Sequence, residues 1–207
     1  TYIVQTGAYA YNVGKIKLKV EKGKINEFDF ELLTVDDKIK GDESIQNRIK
    51  KHIEFINKNY LTKTGLTYNT KIAKLNYDLY TDYMNLKSSN IGNLIADADK
   101  YYLESRGIDV DFTMVASGTI REDLLKGKNG IITVPDAFRV MSLGEGKDNI
   151  PGYPLASIYI TAKEFKKLCE VLYISRASGG DGYLYTSGLK IYADPDKGLL
   201  RKIQKVE

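Results

Sequence analysis

The sequence predicts a mixed α/β fold in which a β-hairpin and one helix lead into a larger domain of helices and short strands. Three observations carry this expectation. Apolar residues alternate strictly with lysines over residues 15–20, helical apolar stripes run through residues 42–61 and 89–107, and two S/T-x-x-D/E capping boxes open later helices.

In chain order, "GKIKLKVEKGKINEFDFELLTV" sets Ile16, Leu18 and Val20 against Lys15, Lys17 and Lys19, turns at "EKGK", and resumes with Ile25, Phe28 and Phe30. This is a hairpin with one buried face. Its lysine face is either an anion-binding patch or a solvated face that protects an edge from aggregation. In "GDESIQNRIKKHIEFINKNYL", Ile45, Ile49, Ile53, Ile56 and Tyr60 recur at helical spacing, with Asp42 or Ser44 as the cap. The polar stretch "TKTGLTYNTK" that follows is placed at a domain boundary. A second helix, "SSNIGNLIADADKYYLESRG", shows Ile91, Leu94, Ile95, Ala98 and Tyr102 on its apolar face, Ser89 or Asn90 at its N-cap and Gly107 at its stop. "VDFTMVAS" reads as a short buried strand. Thr133 with Asp136, and Thr161 with Glu164, form the two capping boxes. The helix after Thr161 groups Phe165, Leu168, Cys169 and Leu172, which makes Cys169 a small core residue. The closing "SGGDGYLYTSGLKIYADPDKG" is a Gly-rich loop, a Tyr-rich strand and a turn. The loop lacks a P-loop pattern and precedes a strand, where a P-loop precedes a helix.

Composition narrows the function. At 207 residues and 43% hydrophobic content the chain fills one large or two small domains. Its 31 Lys and Arg against 27 Asp and Glu leave a net charge of +4 without a basic run, so no nucleic acid polymer is expected as a partner. One cysteine excludes an internal disulfide framework and a cysteine-rich metal site. No apolar run approaches the roughly 20 residues of a membrane helix, and no leader is visible. The chain begins at Thr1 inside a strand-like pattern, so a fragment or a processed chain is expected.

The chemistry is bounded in the same way. His52 is the single histidine, and one histidine cannot build a two-metal phosphoesterase centre or, from a charged helix, serve a serine triad. Neither of those two centres is therefore expected within these residues. Asp97, Asp99, Asp109 and Asp111 can act as an acid/base pair or hold a hard cation; helix-surface and capping roles are the alternative, and their spacing is not that of a calcium loop. Arg121 is the positive candidate. A guanidinium at the end of a buried strand, beside Ser117, Gly118 and Thr119, can offer paired donors to a phosphate or carboxylate while turn amides add more. The alternatives are an arginine paired with Glu122 or Asp123, or one on the open surface.

Taken together, these pieces resemble the C-terminal domain of the 5'-nucleotidase family, metallophosphoesterases that include UDP-sugar hydrolases and cyclic-nucleotide phosphodiesterases. "NIGNLIADA" is similar to the family's "lGNLitDA" helix. "ASGTIREDLLKGKNGIITVPDAFRVMSLG" resembles "NgGgIRaxlxxGxiTxxdxxxvlPFgN", "LASIYITAKEFKKLCE" resembles "ltGxqlkxxLE", and "YLYTSGLKIYADP" resembles "FlqvSGlrxxxD". The opening "YIVQTGAYAYNVGKIKL" resembles the closing strands of the family's metallophosphatase domain. The resemblance implies three segments: residues 1–41 as those terminal strands, 42–61 as a linker or hinge helix, and 62–207 as a substrate-binding domain layered helix, sheet, sheet, helix.

It also implies a substrate that is a nucleotide or nucleotide-sugar, and a partner that is the chain's own N-terminal metallophosphatase domain. Two divalent metal ions, zinc, manganese or similar, would sit in that domain and none here. The location implied is secreted, periplasmic or cell-surface. Carried over by position, Arg121 falls on the substrate-contacting arginine of "GgIR" and Gly118 on its turn glycine. Asn93 with Gly92 falls on the "GN" of the helix block, Lys87 on an arginine ahead of it, and Tyr183 on one of two aromatics that sandwich the base. The departures are Ala116 at the motif asparagine, Leu143 at the second aromatic, and Glu145 at a neutral amide that reads the base. Losing a stacking partner costs on the order of 1–3 kcal/mol. The alternative to a substrate-binding domain is a non-catalytic interaction module whose altered pocket no longer takes nucleotides.

Overall fold

The computed structural model describes residues 1–7, 10–81, 89–127, 129–147, 149–177 and 183–207; for 175–177 only the backbone is described. The chain divides into two compact units, Thr1–Phe55 and Ile56–Glu207.

In the first unit, β1 (Asn12–Glu21) and β2 (Lys24–Thr34) form an antiparallel hairpin that turns at Lys22 and Gly23. Ile16 faces Phe30, Leu18 faces Phe28, and a bulge after Lys19 brings Val20 opposite Ile25. The expected burial of this face is corrected by the structure. Ile16, Leu18, Val20 and Ile25 remain roughly half exposed, because a two-stranded ribbon has no second layer of its own. Tyr2 stacks on Phe28 with ring centroids 4.0 Å apart. The lysine face is a charge ladder: Lys15 lies 3.3 Å from Glu31, Lys19 lies 3.1 Å from Glu27, and Lys17 stands opposite Asp29. Its cations already face carboxylates, so the solvated-face reading holds. Helix α1 (Glu43–Ile56) starts where Asp42 Oδ1 accepts the Ile45 N–H at 3.0 Å, which settles the cap on Asp42. His52 is exposed on it. A π-helical turn, Asn57–Leu61, belongs to the second unit.

The second unit contains β3 (Lys71–Lys74), α2 (Asn90–Ser105), β4 (Thr113–Ala116), β5 (Ile131–Thr133), α3 (Val134–Val140), α4 (Ala162–Ala177), β6 (Leu184–Ser187), β7 (Ile191–Ala193) and β8 (Ile203–Val206). Three small antiparallel pairs form: β3 with β5, β4 with β6, and β7 with β8. Helix α2 packs on β4 and β6, and α4 on β8. The fold is thus mixed helix and sheet, as the sequence predicts. Two cores result. One gathers Leu79, Ile91, Ala96, Val115, Ile120, Val140 and Tyr185; the other gathers Phe165, Cys169 and Ile203.

Local signals are realised closely. The Ser89 hydroxyl caps α2, accepting the Gly92 N–H at 3.1 Å while donating to the Tyr80 carbonyl at 2.6 Å. Both capping boxes form, Thr133 with Asp136 and Thr161 with Glu164. The buried stripe of α2, however, runs through Ile91, Gly92 and Ala96, while Leu94 and Tyr102 are about half exposed. The helix rolls onto its small residues because Gly92 and Ala96 admit the sheet closely. A Cβ on Gly92 would lie 2.4 Å from the Tyr185 ring.

Candidate functional site

Strand β4 ends at Ala116 and the chain enters a 3-10 turn, Ser117–Thr119. The turn is closed by its own polar groups: the Thr119 hydroxyl donates to the Ala116 carbonyl at 2.6 Å, and the Ile120 N–H to the Ser117 carbonyl at 3.1 Å. Arg121 follows on the surface. Its Nη1 donates to the Gly118 carbonyl at 3.2 Å, so the guanidinium folds back over the turn. Glu122 meets the Arg139 guanidinium at 3.4 Å, and Asp123 Oδ1 accepts from the Thr81 N–H and hydroxyl at 2.8 and 2.9 Å. Both neighbouring carboxylates are therefore engaged with other residues.

Pairing brings distant residues to this turn. Beyond the β4–β6 ladder, the Ser117 N–H donates to the Tyr183 carbonyl at 2.7 Å, and the Tyr183 ring meets Tyr185 edge-on at 5.2 Å. The Arg121 N–H donates to the Val140 carbonyl at 2.8 Å, tying the turn to the end of α3. Three residues past Val140, Leu143 opens a loop that folds on itself. Glu145 pairs across a bridge with Pro151, Gly152 donates to the Gly144 carbonyl at 3.0 Å, and the Tyr153 ring covers Gly144. Gly144 has φ +87, and a Cβ there would lie 2.5 Å from that ring, so the position is restricted to glycine twice over. The described residues of this loop make a compact hairpin-like turn, with Tyr153 largely exposed on it.

Of the sequence-predicted residues, Arg121 meets Gly118 through its guanidinium, Tyr183 joins the turn through the Ser117 N–H, and the Arg121 N–H bonds Val140, three residues before the Leu143–Glu145 loop. Asn93, in the first turns of α2, lines one cleft together with Tyr183. Lys87 lies outside the described residues, as does the "SGGDG" loop from Ser178. Gly92 has a packing role against Tyr185. Among the described residues, no group of three or more His, Cys, Asp or Glu side chains is placed to hold a metal ion.

The sequence reading missed the buried carboxylate Glu170. Its Oε2 accepts the Lys202 N–H at 2.9 Å and its Oε1 the Ile203 N–H at 2.7 Å, fastening β8 beneath α4. Also missed is the network around Asp78, which accepts the Lys126 N–H at 2.7 Å and the Tyr80 hydroxyl at 2.9 Å. Those bonds, the Lys126 amide first, hold the Asp78 carboxyl below the usual aspartate range. Burial pushes the Cys169 thiol up, which favours its inert protonated form.

Fold and site define a helix-and-sheet domain that presents an arginine-bearing turn beside a tyrosine on the neighbouring strand. Residues 59–207 match the model of the 5'-nucleotidase C-terminal domain, and the chain belongs to that family. A solved structure of a 5'-nucleotidase precursor from Thermus thermophilus superposes with a TM-score of 0.58 at 19% sequence identity. The match covers 98% of this chain and 37% of that one. No curated protein sequence is significantly similar. Among the described residues, no helix is long and apolar enough to cross a membrane.

Proposed function

We propose that this chain is the substrate-gripping part of a metal-dependent 5'-nucleotidase. In this reading, the Arg121 guanidinium and the turn amides hold the charged part of a nucleotide while Tyr183 offers its ring to the base. The observation that carries the proposal is the 2.7 Å bond from Ser117 to Tyr183, which sets the arginine turn and the aromatic on adjoining strand ends. The metal-bearing metallophosphatase domain, with its two divalent ions, belongs to an upstream part of the same protein. Those ions would supply a water activated for attack on phosphorus. This chain's residues bind and orient, and they do not perform the hydrolysis.

Two observations support the division of labour. The chain spans 37% of the length of the Thermus structure. The β1–β2 hairpin also leaves an apolar face uncovered, which suits it as terminal strands packed on that upstream domain, with α1 as the hinge. An exported or cell-surface location is part of the same proposal. Leu143 and Glu145, which replace an aromatic and an amide, favour a second reading in which the pocket has become an interaction surface.

Calorimetric titration of the 207-residue chain with UMP, adenosine and UDP-glucose decides between them. Saturable binding of at least one, abolished by Arg121→Ala, is expected. Binding of none overturns the substrate-gripping reading and selects the interaction module. Nucleotidase turnover by the isolated chain with added manganese or zinc, above a metal-free control, overturns the division of labour.

A further inference from the structure

The stretch "DPDKGLLRK", residues 194–202, joins β7 to β8 and sets two leucines between a lysine and an arginine. The neck of this hairpin is firmly bonded. The Asp194 N–H donates to the Lys202 carbonyl at 2.8 Å, and the buried Glu170 accepts the amides of Lys202 and Ile203. The loop beyond it is closed from within. Lys202 Nζ donates to the Pro195 carbonyl at 2.5 Å and to the Lys197 carbonyl at 2.9 Å, the Asp196 N–H donates to Asp194 Oδ1 at 3.0 Å, and the Arg201 N–H donates to the Gly198 carbonyl at 3.1 Å.

An ordered loop ordinarily turns its charged groups to water and its large apolar side chains inward. Here the order is reversed. The Lys202 ammonium bonds loop carbonyls, whereas Leu199 and Leu200 are 72% and 58% exposed. Leu200 is also held at φ +55, a left-handed conformation that a bulky side chain adopts only at a cost. Closing the turn would ask only for glycine or asparagine at that position. Gly198, two residues earlier, has open space around it and does not take the left-handed conformation. Strain that no packing offsets points to a role outside the fold.

Charge selects what the tip meets. Among the described residues, the Lys197 ammonium and the Arg201 guanidinium have no carboxylate partner, and they bracket the leucines. The loop's carboxylates, Asp194 and Asp196, both precede Lys197, so no acid stands between the two cations. Two leucines at the end of a hairpin make a convex point, which a fluid bilayer can close around, whereas a protein partner would have to supply a matching pocket. Long cationic side chains beside them can lay their stems along the apolar surface and keep their heads among anionic groups. We propose that the β7–β8 tip docks on an anionic lipid surface, with Leu199 and Leu200 entering the boundary between headgroups and acyl chains and Lys197 and Arg201 meeting lipid phosphates. The attachment is reversible, since two leucines and two cations make a weak anchor. It uses none of the residues assigned to nucleotide gripping.

The chain contains no tryptophan, so Leu199→Trp places a single reporter at the tip. The test mixes this variant and the parent chain with vesicles of phosphatidylcholine alone and of phosphatidylcholine with phosphatidylglycerol. Expected are co-sedimentation with the anionic vesicles, a blue-shifted tryptophan emission on binding, and quenching by brominated acyl chains. Leu199→Ser together with Leu200→Ser should lower the partition coefficient about tenfold, the scale of withdrawing the exposed surface of two leucines from lipid. Leu200→Gly should lower it several-fold and leave the urea midpoint unchanged, because glycine adopts φ +55 without strain. The uncovered face of the β1–β2 hairpin can also touch lipid, and the tip variants separate the two surfaces. Binding that survives the double serine change, binding without a shift in emission, or equal partition into neutral and anionic vesicles overturns the proposal. No vesicle binding at all overturns it too and leaves the leucines to a protein partner. A urea midpoint that falls in Leu200→Gly shows that the leucine serves the fold, which also sinks the lipid reading.

Discussion

Gly92 and Tyr185 are in contact across the helix–sheet seam, and a Cβ on residue 92 would stand 2.4 Å from the tyrosine ring. Tyr185 cannot yield easily, being almost fully buried and tethered by its hydroxyl to Thr81. Gly92→Ala therefore forces α2 away from β6, against the small gain in helix propensity that alanine brings. Overpacking of this kind costs about 1–3 kcal/mol. A lowered urea midpoint with unchanged slope is the expected result; an unchanged or raised midpoint would show that the seam has room.

Glu170 sits on the buried side of α4 with both oxygens occupied by the amides of Lys202 and Ile203. Glu170→Ala leaves the Ile203 N–H buried without an acceptor, which costs about 1–3 kcal/mol. Glu170→Gln keeps one acceptor oxygen and should fall between the two. Hydrogen exchange reads the effect locally: the Ile203 amide should lose protection first in the alanine variant, and equal protection in all three proteins would refute the fastening role.

The caps of these helices were legible in the sequence because a cap is a local contract: Ser89 with Gly92, Thr133 with Asp136 and Thr161 with Glu164 lie three residues apart. The roll of α2 was not. An apolar stripe through Leu94 and Tyr102 and a small-residue stripe through Gly92 and Ala96 fit the same periodicity, and Tyr185, far along the chain, chooses between them. Glu170 was illegible for the same reason, since its partners lie 32 and 33 residues downstream. At the candidate site, the motif order named Arg121 and Tyr183 separately. Only the β4–β6 pairing, extended by the Ser117–Tyr183 bond, brings Tyr183 to the turn that precedes Arg121, and the hairpin face showed its pattern without showing whether anything covers it.

Acid should weaken the fold through identifiable carboxylates. The Lys126 amide and the Tyr80 hydroxyl lower Asp78, the Thr161 hydroxyl and amide lower Glu164, and the Ile45 amide lowers Asp42. A group lowered on folding binds fewer protons in the folded state. Its contribution is full above the ordinary carboxylate value of about 4 and is lost as pH falls through the folded value. Asp99 has the opposite sign, because burial raises it and its charged form is penalised. Urea midpoints should fall from pH 6 to pH 3, less steeply in Thr161→Ala. Asp99→Asn should raise the midpoint near neutrality and leave it unchanged at about pH 3, where the carboxyl is protonated in folded and unfolded chains alike. A uniform shift at both pH values would deny the burial cause.

Arg121→Lys is the sharper probe of the turn than removal of the charge. The arginine reaches its own turn at Gly118 and presents a planar fork, whereas lysine keeps the charge as a single rotatable point without paired geometry. If the guanidinium holds a phosphate through two parallel bonds, the lysine variant should bind UMP about tenfold more weakly, roughly 1.4 kcal/mol, with no change in unfolding midpoint. If Arg121 contributes charge alone, Arg121→Lys should match the parent chain while Arg121→Ala does not. The salt dependence separates the two. Charge-only attraction fades as the ionic strength rises, and a fork-shaped hydrogen-bonded contact keeps its preference for arginine over lysine at high salt.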